Sequence, residues 1–278
     1  AMQAFNDLKI GCMICVPNAF ESLVKDEKFR NSKRLKWLLA CFLGGDSMNA
    51  TLKEKFDEVL IKAKAKARLF EGYGLTESAP VISFRNYKEP RQGCVGAIFP
   101  TMELKILPEE NGVATSKEHI GYGKKGLIYI RSEQVMKGYY KRPDLTAKII
   151  DEDGWLNTGD LGLLTYDDEI KITGRAKDTI VLLGGENIEP AVIESELLTS
   201  PYIESAIVLG QDQPYRSALV VPSKENILAY ATENNLDTSD YEELLKTKEI
   251  IDLIDSTIKE KDSTANGFRI CEKIWKFA

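Results

Sequence analysis

Apolar residues in the first third of the chain come in short runs separated by stretches of mixed polarity. Three runs, at residues 8–16, 35–43 and 68–70, have the length and composition of buried strands. After the second run, Thr51 and Glu54 form a capping box, which predicts that a helix starts there. The apolar face of this helix repeats at intervals of three and four residues: Leu52, Phe56, Val59, Leu60 and Ala63. The alternation of strands and helices predicts one edge of a parallel α/β sheet.

The pattern changes twice along the rest of the chain. In the middle, short β-like runs are separated by turn-forming pairs such as Asn111-Gly112. Toward the end, strand-like runs alternate with helical patterns, and Pro190 opens the first helix. We therefore predict an α/β plus α+β fold in four parts: an α/β unit at 1–91, a β-rich subdomain at 92–173, a hinge at 174–178 and a small α+β domain at 179–278.

Charge and composition exclude several classes of protein. Among the 278 residues, 43 are acidic and 37 basic, so the net charge is −6 and no basic surface is expected for nucleic acid. Apolar residues make up 43% of the chain, yet no apolar run approaches the roughly 20 residues that span a bilayer. We expect a cytoplasmic protein, with contact to a membrane surface left open.

Cysteine and histidine give little support to redox, metal or triad chemistry. Five cysteines do not make a disulfide framework. Cys12 and Cys15 form a C-x-x-C pair inside an apolar run, where buried packing is favoured over a redox or metal role. The single histidine, His119, lies in an apparent loop, which disfavours a Ser-His-Asp triad or a histidine-bound zinc ion.

Four segments combine glycines with polar side chains at the ends of apolar runs, where strand termini expose ligand sites. They read Leu-Gly-Gly-Asp-Ser at 43–47, Gly-Tyr-Gly-Leu-Thr-Glu at 72–77, Gly-Trp-Leu-Asn-Thr-Gly-Asp at 154–160, and Gly-Arg-Ala-Lys-Asp at 174–178 followed by Gly-Gly-Glu-Asn-Ile-Glu-Pro at 184–190. In this order they resemble the adenylate-forming superfamily of acyl-CoA synthetases, peptide-synthetase adenylation domains and luciferases, over nearly the whole chain. The last segment looks most like the long-chain fatty acid branch.

The resemblance implies a fold, an activity and a set of ligands. Residues 1–173 would be the carboxyl-terminal part of a large AMP-binding domain, and residues 179–278 a mobile, truncated lid. The parent enzyme would use ATP and Mg²⁺ to activate a long-chain fatty acid as acyl-AMP, and would pass the acyl group to CoA. An acyl carrier protein or a lysophospholipid as acceptor, and a non-catalytic nucleotide-binding module, stay as alternatives.

The resemblance also assigns the nucleotide contacts. Tyr73 offers a flat face for adenine, and the backbone of Gly44 and Gly45 lets that ring approach closely. Asp160 accepts hydrogen bonds from both ribose hydroxyls, and Arg175 bonds the ribose from the other side. Two further binding residues complete the set: Asp46 and Gly74.

The implied reaction brings a carboxylate to the α-phosphate of ATP, so the site must supply positive charge and oriented donors. Thr76 would donate its hydroxyl to the α-phosphate, and Glu77 would hold the Mg²⁺ ion. Lys177 lies at the hinge about which the small domain would rotate between the two half-reactions. Gly184 and Gly185 would then line the path of the thiol, where a side chain would block entry.

Two motifs of the superfamily are missing. No Ser/Thr/Gly-rich phosphate loop ending in Pro-Lys-Gly occurs, and the chain ends at Ala278, before the expected catalytic lysine. Residues 266–269 look like the lysine motif, but Phe268 occupies the lysine place, and Lys273 and Lys276 are merely nearby. We therefore expect a carboxyl-terminal fragment that cannot adenylate a fatty acid alone.

Overall fold

The computed structural model describes residues 8–45, 48, 50–85 and 94–278. The chain forms two compact units, one reaching to Ala176 and the other starting at Lys177. Asp46, one of the predicted site residues, lies outside the described residues. Within the described ranges, no helix combines the length and the apolar character needed to cross a membrane.

The first unit opens with a five-stranded sheet. Its strands, in spatial order, are β1 (Cys12–Cys15), β2 (Ala40–Leu43), β3 (Leu69–Tyr73), β4 (Ser83–Phe84) and β5 (Ala97–Ile98). β1, β2 and β3 pair in parallel, whereas β3, β4 and β5 pair antiparallel. The predicted parallel α/β edge is confirmed, and an antiparallel extension follows it.

Three helices share a core with this sheet: α1 (Pro17–Lys25), α2 (Glu27–Arg30) and α3 (Ala50–Lys62). Phe20 and Phe56 meet edge to face with ring centroids 4.7 Å apart, and Phe29 stacks on Phe56. Because α3 already begins at Ala50, Thr51 lies inside the helix and not at the predicted cap. Sequence patterns locate helix ends only to within a residue or two.

The C-x-x-C pair does not pack as predicted, because Cys12 is exposed. Successive side chains of a strand point to opposite faces, so Cys12 and Cys15, three positions apart, lie on opposite faces of β1. Cys15 is half-buried against the core, and burial raises the pKa of its thiol. The spacing therefore does not bring the two sulfur atoms onto one face.

The first unit also contains a four-stranded antiparallel sheet. Its spatial order is β11 (Ile170–Arg175), β10 (Leu156–Leu164), β9 (Gly126–Arg131) and β6 (Glu103–Leu107). A separate hairpin of β7 (Glu109–Glu110) and β8 (Val113–Ala114) turns at Asn111-Gly112, and both turn residues have positive φ. His119 accepts a hydrogen bond at Nδ1 from the backbone N–H of Ile106. The sequence pattern did not predict the short helix α4 (Pro143–Ile149) between β9 and β10.

The second unit has its own sheet and core. After a small hairpin of β12 (Ile180–Val181) and β13 (Asn187–Ile188), its sheet contains β14 (Ile203–Leu209), β15 (Arg216–Pro222) and β16 (Ile274–Phe277). Four helices complete it: α5 (Pro190–Leu197), α6 (Lys224–Glu233), α7 (Tyr241–Leu245) and α8 (Lys248–Lys261). The pattern over residues 241–258 predicts one helix, whereas Thr247 has an extended backbone that separates α7 from α8.

Candidate functional site

The first unit holds a buried carboxylate whose two oxygens face side chains from other strands. Asp160, in β10, is only 5% exposed. The hydroxyl of Tyr73, at the end of β3, donates a hydrogen bond to Oδ2 of Asp160 at 2.6 Å. Nε of Arg175, which is opposite Asp160 in β11, lies 3.3 Å from Oδ1. The structure thus brings three of the predicted site residues together at one carboxylate.

An irregularity in β10 determines where Asp160 sits. Between Asn157 and Leu161, β10 advances four residues while its partner β9 advances two. Thr158 secures this bulge, because its hydroxyl donates to the carbonyl of Ile128 at 2.9 Å and accepts from the backbone N–H of Asp160 at 3.1 Å. Bulges bend a strand locally and redirect its side chains, often next to functional sites.

Tyr73 contributes its hydroxyl to the site, a role that the sequence did not indicate. Burial, and then the nearby Asp160 carboxylate, raise the pKa of Tyr73 well above its ordinary value, so the hydroxyl is a donor at neutral pH. The neighbouring Gly74 has a packing reason to be glycine, since a Cβ there would overlap the backbone carbonyl of Pro80. The direct cofactor contact predicted for Gly74 stays a prediction.

Thr76 and Glu77 lie on the turn that follows β3. Residues Thr76–Ser78 form one turn of 3-10 helix, which the Ser78 hydroxyl closes by donating to the carbonyl of Leu75 at 2.9 Å. Thr76 is exposed, and Glu77 is half-buried. Oε1 of Glu77 accepts a hydrogen bond from the hydroxyl of Tyr139 at 2.7 Å. Sequence reasoning missed Tyr139; the only available signal was its place directly after a glycine, shortly before the Pro143 that opens α4.

The glycine pair Gly44-Gly45 follows β2, at the sheet edge where Tyr73 ends the neighbouring parallel strand β3. The backbone N–H of Gly44 donates to the carbonyl of Cys15 at 3.3 Å, and Gly45 has a φ of +88°. This positive φ explains the glycine at position 45 by backbone conformation alone. The predicted adenine contact of the pair stays a prediction.

Three predicted site residues belong to the second unit. Lys177 is its first residue and is exposed. Gly184 and Gly185 form an exposed turn between β12 and β13, in which the N–H of Gly185 donates to the carbonyl of Leu182 at 2.8 Å. Gly185 has a φ of +84°, so a tight turn by itself accounts for that glycine.

The Asp160 group has the chemistry to recognise a vicinal diol. An ionised carboxylate only accepts hydrogen bonds, and two adjacent hydroxyls can each donate to one of its oxygens. The guanidinium of Arg175 lies beside the carboxylate, yet its side chain is 56% exposed and can bond to a ligand as well. The group therefore suits a ribose.

Glu77 is the candidate ligand for a magnesium ion. In the part of the chain that the structure describes, no three His, Cys, Asp or Glu side chains cluster as they would in a protein-only metal cage. The Mg²⁺ that accompanies a nucleotide needs no such cage, because phosphates and water supply most of its ligands beside one or two carboxylates. A half-buried carboxylate with one oxygen fixed by Tyr139 fits that donor set.

Two protein families match the chain in succession. The family described as AMP-binding enzyme matches residues 1–140, which is half of the chain. The family described as AMP-binding enzyme C-terminal domain matches residues 177–271. Tyr73 and Glu77 fall within the first match and Gly184 within the second, whereas Asp160 and Arg175 fall between the two matches.

Curated relatives cover two kinds of acid. A long-chain-fatty-acid–[acyl-carrier-protein] ligase of Arabidopsis thaliana, named as chloroplastic, is 40% identical over 64% of this chain and 26% of its own length. A 4-coumarate–CoA ligase of Narcissus pseudonarcissus is 37% identical over 70% of this chain and 35% of its own. The chain thus spans about a quarter to a third of these relatives.

Solved structures share the fold over nearly the whole chain. O-succinylbenzoate coenzyme A synthetase of Bacillus subtilis, in complex with ATP and a magnesium ion, superposes with a TM-score of 0.71 over 99% of this chain and 49% of its own, at 22% identity. The amide bond synthetase McbA of Marinactinospora thermotolerans gives a TM-score of 0.74 at 20% identity. These likenesses establish an adenylate-forming fold for the chain.

Proposed function

We propose a function that follows from the family, since this chain belongs to the AMP-binding enzyme family. The chain is part of a ligase that uses ATP to activate a carboxylic acid as acyl-AMP. The ligase then transfers the acyl group to a thiol. The observation that carries the proposal is the meeting of Tyr73, Asp160 and Arg175 at one buried carboxylate. A protein that only kept the fold would have no use for these three polar groups together. A non-catalytic module is therefore disfavoured.

Each part of the site has a role in this proposal. Asp160 and Arg175 bind the ribose, and the ring of Tyr73 faces the adenine, which the Gly44-Gly45 backbone allows to come close. Asp46, which follows Gly45 in the sequence, is a further proposed binding residue. These groups hold the nucleotide without taking part in bond breaking.

The turn after β3 is proposed to handle the phosphates. The exposed hydroxyl of Thr76 is free to donate to the α-phosphate, and Glu77 would hold Mg²⁺. When bound, Mg²⁺ neutralises phosphate charge that would otherwise repel the incoming carboxylate. Orienting that ion is the contribution of this chain.

The second unit is proposed to act as a lid that turns about Lys177. The division of the chain into compact units between Ala176 and Lys177 supports a hinge at this place, since few contacts cross a domain boundary. Domain closure needs only a few residues that absorb the change of backbone angles. Gly184 and Gly185 would then line the thiol path.

We propose a long-chain fatty acid as the acid and CoA as the thiol. The Gly-Arg-Ala-Lys-Asp and Gly-Gly-Glu-Asn-Ile-Glu-Pro segments support the fatty acid, as does the 40% identity to a fatty acid ligase. That relative is named for an acyl carrier protein, which makes a carrier protein the second candidate for the acceptor. The 4-coumarate–CoA ligase relative is 37% identical and makes an aromatic acid the second candidate for the acid. We propose that the protein is located in the cytoplasm.

One assay series tests this proposal. The longer protein to which we propose that the chain belongs is given ATP, labelled pyrophosphate and either fatty acids of increasing length or 4-coumarate. We expect exchange that rises with chain length, and AMP release that needs CoA. The chain of 278 residues alone should give no exchange. Faster exchange with 4-coumarate than with any fatty acid would overturn the fatty acid assignment. The absence of exchange with every acid would overturn the proposed ligase activity.

A further inference from the structure

The segment of residues 136–139 holds Glu77 at two points. The backbone N–H of Met136 donates to the carbonyl of Glu77 at 2.8 Å. Three residues later, the hydroxyl of Tyr139 donates to the Glu77 side chain, at Oε1, over 2.7 Å. Both the main chain and the carboxylate of Glu77 are thus attached to a segment that lies some 60 residues away in the sequence.

A residue of α4, Thr146, holds the backbone of Tyr139 in place. The backbone N–H of Tyr139 donates to Oγ1 of Thr146 at 2.9 Å, and the same hydroxyl donates to the carbonyl of Arg142 at 3.0 Å. Gly138 has a φ of +140° and lies so close to Thr146 that a Cβ would come within 2.8 Å of its Cγ2. The position of the Tyr139 side chain therefore depends on a specific turn and on a specific hydroxyl group.

A hydrogen bond to one oxygen of a carboxylate fixes its rotation and leaves the other oxygen for a ligand. Mg²⁺ requires near-ideal octahedral geometry, so it gains from a carboxylate that is already oriented. The phenolic O–H of Tyr139 is a hydrogen-bond donor, and a carboxylate oxygen only accepts, so the direction of this bond is fixed. Tyr139 is thus a suitable partner for a metal-binding carboxylate.

We propose that Tyr139 is a positioning residue whose hydroxyl orients the Glu77 carboxylate toward the divalent cation that accompanies ATP. This inference rests on the proposed function, which places the cation at Glu77. If Tyr139 only stabilised its own loop, loss of its hydroxyl would weaken the binding of every ligand to a similar degree. If Tyr139 orients Glu77, loss of its hydroxyl weakens the binding of the cation selectively.

The test measures cation binding directly and uses the neighbouring tyrosine as a control. Tyr139→Phe removes the hydroxyl alone. Tyr140→Phe removes a hydroxyl from a side chain that is 86% exposed. Mn²⁺ is titrated into the longer protein with ATP present and followed by electron paramagnetic resonance, AMP affinity is measured without metal, and pyrophosphate exchange is measured across a Mg²⁺ series.

We expect Tyr139→Phe to raise the half-saturating concentration of Mn²⁺ and of Mg²⁺ about tenfold, the lower end for partners of metal ligands. AMP affinity without metal should stay unchanged, and Tyr140→Phe should behave as wild type in all three measurements. Unchanged metal dependence in Tyr139→Phe, while wild type exchanges pyrophosphate, would overturn this inference and leave the proposed function intact. A parallel loss of AMP affinity would also overturn it. A wild-type protein that neither exchanges nor binds Mn²⁺ with ATP would overturn both.

A second pair of variants decides the matter if Tyr139→Phe does not fold. Thr146→Val removes the acceptor for the Tyr139 N–H, whereas Thr146→Ser keeps it. The valine variant should need several-fold more Mn²⁺, an effect of a single lost hydrogen bond, and the serine variant should restore the wild-type value. Equal metal dependence in the two variants would overturn the inference.

Discussion

Among the described residues, each of the two units contains one deeply buried aspartate with a hydrogen-bond donor at its carboxylate, but the donors differ in kind. Asp160 in the first unit accepts from the side chain of Tyr73 and lies beside the guanidinium of Arg175. Asp262 in the second unit, 2% exposed, accepts from the backbone N–H of Ile274 at 2.6 Å. Both carboxylates are almost free of solvent, so burial alone does not tell them apart.

The surroundings of Asp262 serve the fold. Ile274 is the first residue of β16, and the carbonyl of the preceding Lys273 accepts from Nε and Nη2 of the buried Arg216 at 3.0 and 2.8 Å. Asp262 and Arg216 therefore anchor β16 beside β15. Side-chain donors can rotate and give way to a ligand, whereas a strand N–H cannot. We propose that the kind of donor distinguishes a ligand-binding carboxylate, the role proposed for Asp160, from a structural one such as Asp262.

The largest expected effect separates the two aspartates by nucleotide binding. Asp160→Asn should weaken AMP binding by about 100-fold or more, because two charge-assisted hydrogen bonds to ribose are worth about 1.5 kcal/mol or more each. Isothermal titration of AMP into the longer protein measures this. Asp262→Asn, of the same size and charge change, should bind AMP as wild type does. Equal affinities of wild type and Asp160→Asn would remove the ribose assignment.

Stability should respond in the opposite order. Asp262→Ala leaves the buried N–H of Ile274 without its acceptor, which costs about 1–3 kcal/mol of unfolding free energy. The buried Arg216 also loses a nearby negative charge, which lowers the unfolding free energy further. Asp160→Ala should cost less: the Tyr73 hydroxyl loses its acceptor, but it can rotate, and the 56% exposed side chain of Arg175 stays hydrated without the carboxylate. Urea unfolding with hydrogen exchange of the segment 270–278 measures both. A larger loss in Asp160→Ala would contradict the division into a binding and a structural carboxylate.

The sequence predicted the fold class and the site residues Tyr73, Asp160 and Arg175, but not the hydrogen bond that joins the Tyr73 hydroxyl to Asp160. Asp160 stands in a recognisable Thr-Gly-Asp segment, and the apolar runs at 161–166 and 170–173 predict the end of β10 and most of β11. That the Tyr73 hydroxyl meets Asp160, 87 residues away, depends on how two sheets and a bulge are arranged. No local pattern encodes such a distance.

The structural pair in the second unit left no signal in the sequence. Asp262 and Arg216 occur in segments without glycine-flanked motifs, and both are buried where β16 pairs with β15. β16 itself was not predicted, because it is a four-residue strand, Ile274–Phe277, in which Trp275 is exposed. Short strands that depend on tertiary pairing are weakly marked by periodicity.

A smaller effect sharpens the role of Tyr73 at the binding carboxylate. Tyr73→Phe keeps the ring and removes the donor to Asp160, so AMP affinity should fall about tenfold, as for one hydrogen bond to a charged group. Tyr73→Leu should fall further if the ring also faces adenine, because stacking area is lost with the hydroxyl. Titration of AMP compares the three proteins. Equal affinities of the two variants would rule out the ring contact.

The smallest expected effect is a pH dependence confined to the structural carboxylate. Burial raises the pKa of Asp262 above 3.8, although the Ile274 N–H and the charges of Lys273 and Arg216 counteract part of the shift. Between 3.8 and the raised pKa, the folded protein binds more protons at this group than the unfolded chain does. The contribution of Asp262 to stability therefore falls as the pH rises through that window.

Asp262→Asn tests this sign, because asparagine keeps an acceptor oxygen for Ile274 and does not titrate. The unfolding free energy of wild type minus that of the variant should decrease as the pH rises from about 4. Urea unfolding of both proteins at closely spaced pH values measures the difference, in which the other titrating groups cancel. An increase with pH would mean that the ionised carboxylate stabilises the second unit through Arg216 more strongly than burial opposes it. Asp262 would then be an ion-pair partner first and an acceptor for β16 second.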